Sequence, residues 1–158
     1  MKQKIPSAIP NGSRIFAIVL MVFCATMTLL GQNNNKADDL LGNWITPDND
    51  GKIVFFRSSG KYYGSISWMK NPNDENGKPK IDKHNPDPSK RSQSFQGLIL
   101  FKDFEWNAAE GKYTGGSVYD ARSGNTYDCY LKLIERNVLE IHGYIGFSFI
   151  GKSEYFTR

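Results

Sequence analysis

The stretch Thr126 to Leu133 reads Thr-Tyr-Asp-Cys-Tyr-Leu-Lys-Leu, and its side chains alternate between two faces. Such a period of two is typical of a β-strand with one buried face. The residues of the more apolar face are Tyr127, Cys129, Leu131 and Leu133. The pattern predicts a strand here, with Cys129 buried as a small hydrophobic side chain.

Working outward from this stretch, similar short runs occur on both sides, separated by turn residues. The predicted strands cover 41–46, 52–57, 61–69, 98–101, 112–120, 126–133, 138–144 and 148–158. Residues 104–106 either extend the fourth run or form a strand of their own, with a turn around Asp103. Gly115-Gly116 predicts a bend or bulge inside its strand. No segment has the pattern of an amphipathic helix. The sequence therefore predicts an all-β domain of eight or nine antiparallel strands, either a meander barrel or a sandwich.

The N-terminus has the three-part order of a secretory signal. Lys2, Lys4 and Arg14 precede the sixteen uncharged residues 15–30, and residues 31–35 are small or polar. We expect residues 1–31 to be a signal peptide cleaved after Gly31, and residues 32–39 to be a flexible lead-in to a barrel domain at 40–158. The predicted localisation is periplasmic or secreted in a bacterium, with membrane contact only during export.

The same segment argues against two other roles, a retained membrane anchor and a lipid-attachment site. A retained membrane anchor is disfavoured because sixteen residues fall short of the roughly 20 that a helix needs to span a bilayer. Lipid attachment at Cys24 requires a small preceding residue, and Phe23 stands there. We interpret Cys24 as one more apolar residue of the signal.

Removing residues 1–31 from the 158 leaves 127 residues, enough for one domain with a sizeable core. Only 17 basic and 16 acidic residues then remain, so the alkaline isoelectric point describes mostly the signal. A nearly neutral domain without a basic stripe argues against nucleic-acid binding. One cysteine, Cys129, cannot form an intramolecular disulfide, and packing of the abundant aromatic residues must stabilise the fold.

Most common catalytic and cofactor motifs are absent from the sequence. It contains no Gly-x-Ser-x-Gly and no dinucleotide fingerprint. The domain's two histidines, His84 and His142, are far apart in sequence, and His142 is interpreted as a strand-surface residue. Asp74-Glu75-Asn76-Gly77 does not fit a calcium loop, because the first and twelfth positions would be Pro72 and Lys83. We predict no metal and no cofactor.

The region 71–96 has a different character from the rest of the chain. It is proline-rich and polar, and too long for an ordinary hairpin connection. Its most distinctive part is Asp82-x-x-Asn85-Pro86-Asp87-Pro88-x-x-Arg91, in which Arg91 is placed to pair with Asp82 or Asp87. Three interpretations stay open: a loop held rigid by its own hydrogen bonds, a polar ligand or metal site at the barrel mouth, and catalysis by the carboxylates.

Several motifs together resemble a known bacterial family. They are Gly42-Asn43-Trp44, Tyr63-Gly64-Ser65-Ile66-Ser67-Trp68, the Asp82 to Arg91 motif, Gly116-x-Val118-Tyr119-Asp120, and Gly143-Tyr144-x-Gly146. In this order they are similar to the exported family called domain of unknown function 2147, over about residues 42–158. Ala121 stands where that family usually has Pro, and Phe156 where it usually has Trp. The family has no established activity, so the resemblance implies a compartment and a lipocalin-like, calycin-type barrel of about eight strands.

The implied barrel has a check in the residues themselves. Lipocalin-like barrels place Gly-x-Trp at the start of the first strand and an Arg at the end of the last, where the Arg stacks on the Trp. Gly42, Trp44 and Arg158 occupy those places. We therefore expect Trp44 and Arg158 to touch at the closed end of the barrel.

Three functions compete on this sequence. The favoured one is a binding barrel for a small apolar or aromatic ligand, with walls such as Tyr62, Trp68, Tyr119 and Tyr127. The second is a structural or interaction module of the envelope with a filled core, and the least favoured is a carboxylate-dependent hydrolase using Asp82, Asp87 and Arg91. The predicted ligand-binding residues are Asp82, Asn85, Asp87, Arg91, Trp68, Tyr119 and Asp120. The sequence contains no signal for the oligomeric state.

Overall fold

The chain folds as a meander of eight antiparallel strands that closes into a barrel. The computed structural model describes residues 36–158. The strands are β1 (Gly42–Ile45), β2 (Gly51–Ser58), β3 (Lys61–Met69), β4 (Ile99–Asn107), β5 (Lys112–Asp120), β6 (Asn125–Glu135), β7 (Val138–Tyr144) and β8 (Gly151–Thr157). Each strand pairs with the next, and Ile45 of β1 pairs with Thr157 of β8 to close the ring. The predicted all-β meander barrel is confirmed.

The alternation around Cys129 places one face of β6 in the core, as predicted. Cys129 and Leu131 are buried, and Leu133 packs against the same cluster. Burial raises the pKa of the Cys129 thiol to about 12, so the thiol stays protonated and unreactive at neutral pH.

The backbone around Asp103 decides whether residues 99–107 form one strand or two. The residue adopts a positive φ of 64°, which fits the turn that the sequence predicts at this point. However, β4 continues through it, because the strand is paired on both sides, with β3 and with β5. The Tyr63 hydroxyl donates a hydrogen bond to the Asp103 carboxylate and holds this kink on the barrel surface.

Aromatic side chains fill the barrel near one end. The Phe55 and Phe101 rings lie 5.1 Å apart, and the Tyr62 and Tyr113 rings 5.2 Å apart. A Cβ added at Gly64 would lie 2.9 Å from the Phe55 ring and 3.0 Å from the Phe101 ring. Gly64 is therefore the residue that lets these rings meet across the interior.

The same end is closed by the contact that the sequence predicts. The Arg158 guanidinium lies 4.4 Å from the centre of the Trp44 ring, and it donates hydrogen bonds to the carbonyl oxygens of Arg136 and Leu41. Trp44 is fully buried and donates its indole N–H to the Leu40 carbonyl at 2.8 Å. The expected contact between Trp44 and Arg158 is confirmed.

Of the expected flexible lead-in at 32–39, the structure describes residues 36–39, and these are ordered. Lys36–Leu40 forms a 3-10 helix, in which Ala37 and Leu40 are buried. The Tyr113 hydroxyl donates to the Ala37 carbonyl at 2.9 Å, and Leu41 donates its backbone N–H to Asp38. These contacts order a segment whose composition is mostly polar. The predicted signal peptide, with Gly31 and Cys24, lies outside the described residues. In residues 36–158 no helix is long and apolar enough to cross a membrane.

Candidate functional site

The other end of the barrel is open and leads into a cavity of about 1190 Å³. Its floor is the aromatic packing of the closed end, and its walls come from seven strands and from the loops at the rim. Inner apolar residues of the wall are Ile53, Ile66, Met69, Phe101, Val118, Ile141 and Phe156. The interior is therefore filled at one end and hollow at the other, because the largest aromatic side chains are gathered around Trp44 and Tyr113.

The long connection between β3 and β4, residues 70–98, runs across the outside of the barrel as a strap. Short bridges give it internal structure, pairing Asn73 with Pro79 and Ile81 with Ser94. Gly124, in the turn between β5 and β6, has φ +78° and lies so close to the His84 carbonyl that a Cβ there would collide with it. The strap is therefore packed onto this turn.

Asp82 is the centre of the strap's attachment to the barrel. The residue is fully buried, and its two carboxylate oxygens accept the Tyr119 hydroxyl at 2.7 Å and the Asn85 amide at 2.6 Å. Burial and this bond to Asp82 raise the pKa of Tyr119 to about 12. Both Asp82 oxygens are thus engaged within the protein, which suits a structural anchor better than a catalytic carboxylate.

Asp87 and Arg91 complete the internal bonding of the strap. Asp87 caps the 3-10 helix Pro88–Lys90, accepting hydrogen bonds from the backbone and hydroxyl of Ser89. These bonds, with a contribution from Lys90, lower the pKa of Asp87. Arg91 does not form the expected ion pair with Asp82 or Asp87, and its Nε instead donates to the Asn85 carbonyl at 2.8 Å. The Asn85 carbonyl, three residues after the buried Asp82, satisfies this donor, so the Arg91 guanidinium does not have to enter the interior.

Of the seven predicted ligand-binding residues, the structure brings five into one bonded group. These five are Asp82, Asn85, Asp87, Arg91 and Tyr119. A smaller cleft of about 580 Å³ lies beside them on the outer wall, lined by Asn85, Asp87 and Tyr119 among others. Four members of the group therefore belong to the strap, and Tyr119 of β5 joins them to the barrel wall; Tyr119 also lines the barrel cavity.

Asp120 lies at the barrel rim, among the residues that line the larger cavity. Its carboxylate accepts hydrogen bonds from Ser123 and Arg122 in the β5–β6 turn. Partial burial acts to raise the pKa of Asp120, but these hydrogen bonds outweigh it and lower the pKa. The carboxylate is therefore ionised at neutral pH and partly neutralised by Arg122.

Trp68 lies apart from the other predicted site residues. Its register partner on β2 is Lys52, whose ammonium lies 5.6 Å from the centre of the Trp68 ring, and the side chain is 43% exposed. A register shift between Lys52 and Ile53 inserts one extra residue in β3, so the alternation that puts Tyr62, Gly64 and Ile66 in the core does not continue to Trp68. Met69 lines the cavity instead.

Two cavity residues lack a strong signal in the sequence. Phe95, at the end of the polar strap, turns into the cavity and packs against the core. Gly143 of β7 lines the cavity, and a Cβ there would lie 3.9 Å from Val118 and 4.0 Å from Tyr127. The sequence signal for Phe95 is that it is the single aromatic residue in a polar loop. For Gly143, which leaves room in the cavity, the sequence contains no such signal.

His142 is a surface residue of β7, as predicted. Its ring stacks on Tyr130 at 4.9 Å, and its two nitrogens contact the Ser153 hydroxyl and the Ser148 carbonyl. The Ser153 hydroxyl donates to Glu140. Because the serine hydroxyl is already committed to Glu140, this arrangement lacks the geometry in which a histidine activates a serine. Within residues 36–158, no three His, Cys, Asp or Glu side chains are grouped as metal ligands.

Comparison with known proteins agrees with this architecture. The family model "Uncharacterized protein conserved in bacteria (DUF2147)" matches residues 42–158. The chain belongs to this family. Among solved structures, it is similar to HP1028 from Helicobacter pylori, described as a member of the lipocalin family, with 26% identity and a TM-score of 0.62. That match covers 75% of this chain and 82% of HP1028. No curated protein matches the chain. Membership of the family and the lipocalin-like fold, both expected from the sequence motifs, are confirmed.

Proposed function

We propose that this protein is an exported barrel that binds one small apolar or aromatic ligand in its open end. The observation that carries the proposal is the cavity of about 1190 Å³ with an apolar inner wall. Pockets that hold small organic ligands typically measure about 300–1,000 Å³ and are lined mostly by apolar side chains. The similarity to a lipocalin-family protein supports the same role.

Native mass spectrometry of the protein purified from its own envelope tests the proposal. We expect a mass above that of the polypeptide, released on denaturation as one small compound. The matched variant is Gly143→Leu, whose side chain would fill the cavity beside Tyr127 without a backbone clash. This variant should fold and lose the retained compound. A ligand that survives the substitution unchanged would place binding elsewhere, first of all in the outer cleft.

Export is the second part of the proposal, and it rests on the order of charged, apolar and polar residues in 1–35. We expect N-terminal sequencing of the periplasmic or secreted protein to begin near Gln32. Recovery of the protein only in membranes, with Met1 retained, would contradict export with cleavage.

An interaction module is the second candidate function, and one surface favours it. The loop between β7 and β8 exposes Ile145, Phe147 and Phe149, which are 74%, 67% and 80% accessible. Exposed apolar side chains grouped in this way often mark contact surfaces. If this function is correct, replacing Phe147 and Phe149 with Ser should release a co-purifying protein and leave any small ligand in place.

A further inference from the structure

Tyr127 presents a hydroxyl group to the barrel cavity without an internal partner. It pairs with Val118 across β5 and β6, lines the cavity and lies beside Gly143. No hydrogen bond to its hydroxyl forms within residues 36–158. The other inward phenols differ in this respect, because Tyr62 donates to Asp38 and Tyr113 to the Ala37 carbonyl. Tyr144 and Tyr155 also line the cavity, but they stand at the outward positions of β7 and β8, opposite Asp128 and Glu140. Tyr127 is thus the phenol at an inward strand position whose hydroxyl is left for a ligand.

The ionisable groups around the cavity do not favour a charged ligand. Each of the three basic residues of the lining is already engaged by the protein: Lys52 on the Trp68 ring, Arg122 with Asp120, and Lys152 with Glu154. Four acidic residues share the same lining, namely Asp48, Asp50, Asp120 and Glu154. An anionic head group would therefore meet more negative than positive charge as it enters the cavity. Once buried, it would find no basic side chain that is not already paired within the protein.

From these two observations we infer that Tyr127 is a specificity-determining residue, and that the ligand is a neutral, apolar molecule with one hydroxyl or carbonyl group. The phenol donates to a carbonyl oxygen and accepts from a hydroxyl group, so it serves either head group. The apolar body of the ligand then lies against Val118, Ile141 and the aromatic floor. This inference rests on the proposed function, because it concerns the same cavity.

Three compounds with one aromatic body separate the possibilities: naphthalene, 2-naphthol and 2-naphthoate. Their affinities are measured at pH 7 by displacement of the neutral fluorescent probe N-phenyl-1-naphthylamine from the purified protein. We expect 2-naphthol to bind more tightly than naphthalene, since it adds a hydrogen bond, and 2-naphthoate to bind most weakly. In Tyr127→Phe the advantage of 2-naphthol over naphthalene should fall about two- to tenfold, the effect of one hydrogen bond.

Tyr130→Phe is the matched control. Tyr130 also lacks a hydrogen bond to its hydroxyl within the described part of the chain, but it does not line the cavity, and its ring stacks on His142 at 4.9 Å on the outer face of β6. Removing this hydroxyl should leave all three affinities unchanged. Because both substitutions delete a single oxygen atom, the unfolding midpoint of each variant shows whether the barrel is intact.

The outcomes separate this inference from the proposed function. If the probe shows no saturable binding to the folded protein, the proposed function fails, and the inference fails with it. If the probe and the naphthalenes bind but Tyr127→Phe keeps the full preference for 2-naphthol, the role of Tyr127 is wrong and the binding barrel stands. Tightest binding of 2-naphthoate would overturn the neutral class of ligand.

Discussion

At the scale of single residues, the contact between Arg158 and Trp44 shows how one side chain can close the end of the barrel. The guanidinium stacks on the indole and also donates to two backbone carbonyl groups, so one side chain ties β8 to the segment before β1 and to the turn between β6 and β7. Lysine cannot reproduce this, because an ammonium lacks the planar fork that stacks and donates at once. The terminal residue therefore contributes more than its charge.

We predict that Arg158→Ala lowers the free energy of unfolding by about 1–3 kcal/mol, since the stacking and the hydrogen bonds are lost together. Arg158→Lys should lie between the alanine variant and the parent. Urea unfolding measures all three proteins. Arg122→Ala is the control, because that side chain is 88% exposed and should change stability by less than about 0.5 kcal/mol. Equal midpoints for Arg158→Ala and the parent would show that the barrel closes without this contact.

Individual residues also show how far sequence reasoning reaches. Gly42, Trp44 and Arg158 could be predicted because they match the Gly-x-Trp and the final Arg that the resemblance to lipocalin-like barrels places on the first and last strands. The predicted ion pair of Arg91 and the predicted cavity position of Trp68 depend instead on which backbone atoms lie nearby. A one-residue register shift turns Trp68 outward, and no local pattern in β3 encodes that shift.

At the scale of elements, the strap and the β5–β6 turn form one packed unit. Asp82 anchors the strap to Tyr119 at the end of β5, and Gly124 lies against His84 in the following turn. The sequence predicts the strap from its length and its prolines. Hydrogen bonding among the strap's own polar groups is one of the three interpretations that the sequence leaves open. The bond between Asp82 and Tyr119 is not indicated by the sequence, because the two residues are far apart in the chain.

We predict that Gly124→Ala destabilises the protein more than Gly111→Ala. Both glycines have positive φ, so each substitution carries a backbone penalty of about 1–2 kcal/mol. At Gly111 the added Cβ meets nothing within 4 Å, whereas at Gly124 it meets the His84 carbonyl. Overpacking of that kind typically adds about 1–3 kcal/mol. The difference between the two unfolding midpoints measures the packing of the strap, and equal midpoints would mean that the strap lifts away freely.

The strands themselves were well predicted where alternation and turns agree. The bounds of β3, β5 and β7 match the predicted runs, since each is bordered by turn residues, and β3 and β7 also alternate between buried and less buried side chains. The 3-10 helix Lys36–Leu40 was missed because just two of its residues are buried, and their burial depends on the barrel end that they cover. The turn predicted at Asp103 follows from local backbone preference, and pairing with β3 and β5 continues the strand through it.

At the scale of the whole molecule, the fold depends on buried groups that must stay uncharged. Without a disulfide in the described domain, the core consists of packed aromatic and aliphatic residues and one buried thiol. Burial is the first cause that raises the pKa of Tyr62 and Tyr119 from 10.0, and of Cys129 from 9.0, to about 12 in each case. These shifts link stability to alkaline pH.

Whether stability rises or falls with pH depends on which state, folded or unfolded, loses its proton at the lower pH. For an acid whose pKa is higher in the folded state, the unfolded chain loses its proton at lower pH, so stability is complete below the unfolded pKa and is lost as pH rises through the folded pKa. We therefore predict that the free energy of unfolding begins to fall near pH 9, where the unfolded thiol ionises, and continues to fall towards pH 12. Urea unfolding at intervals from pH 8 to 12 measures this decline.

The Cys129→Ala variant separates the effect of the thiol from that of the phenols and lysines that also titrate in this range. The cavity left by the substitution lowers the stability of the variant by the same amount at every pH. Loss of the thiol, in contrast, delays the start of the decline from about pH 9 to about pH 10. If the difference in stability between parent and variant is constant from pH 8 to 12, the Cys129 thiol ionises equally in both states and is not buried as the structure has it.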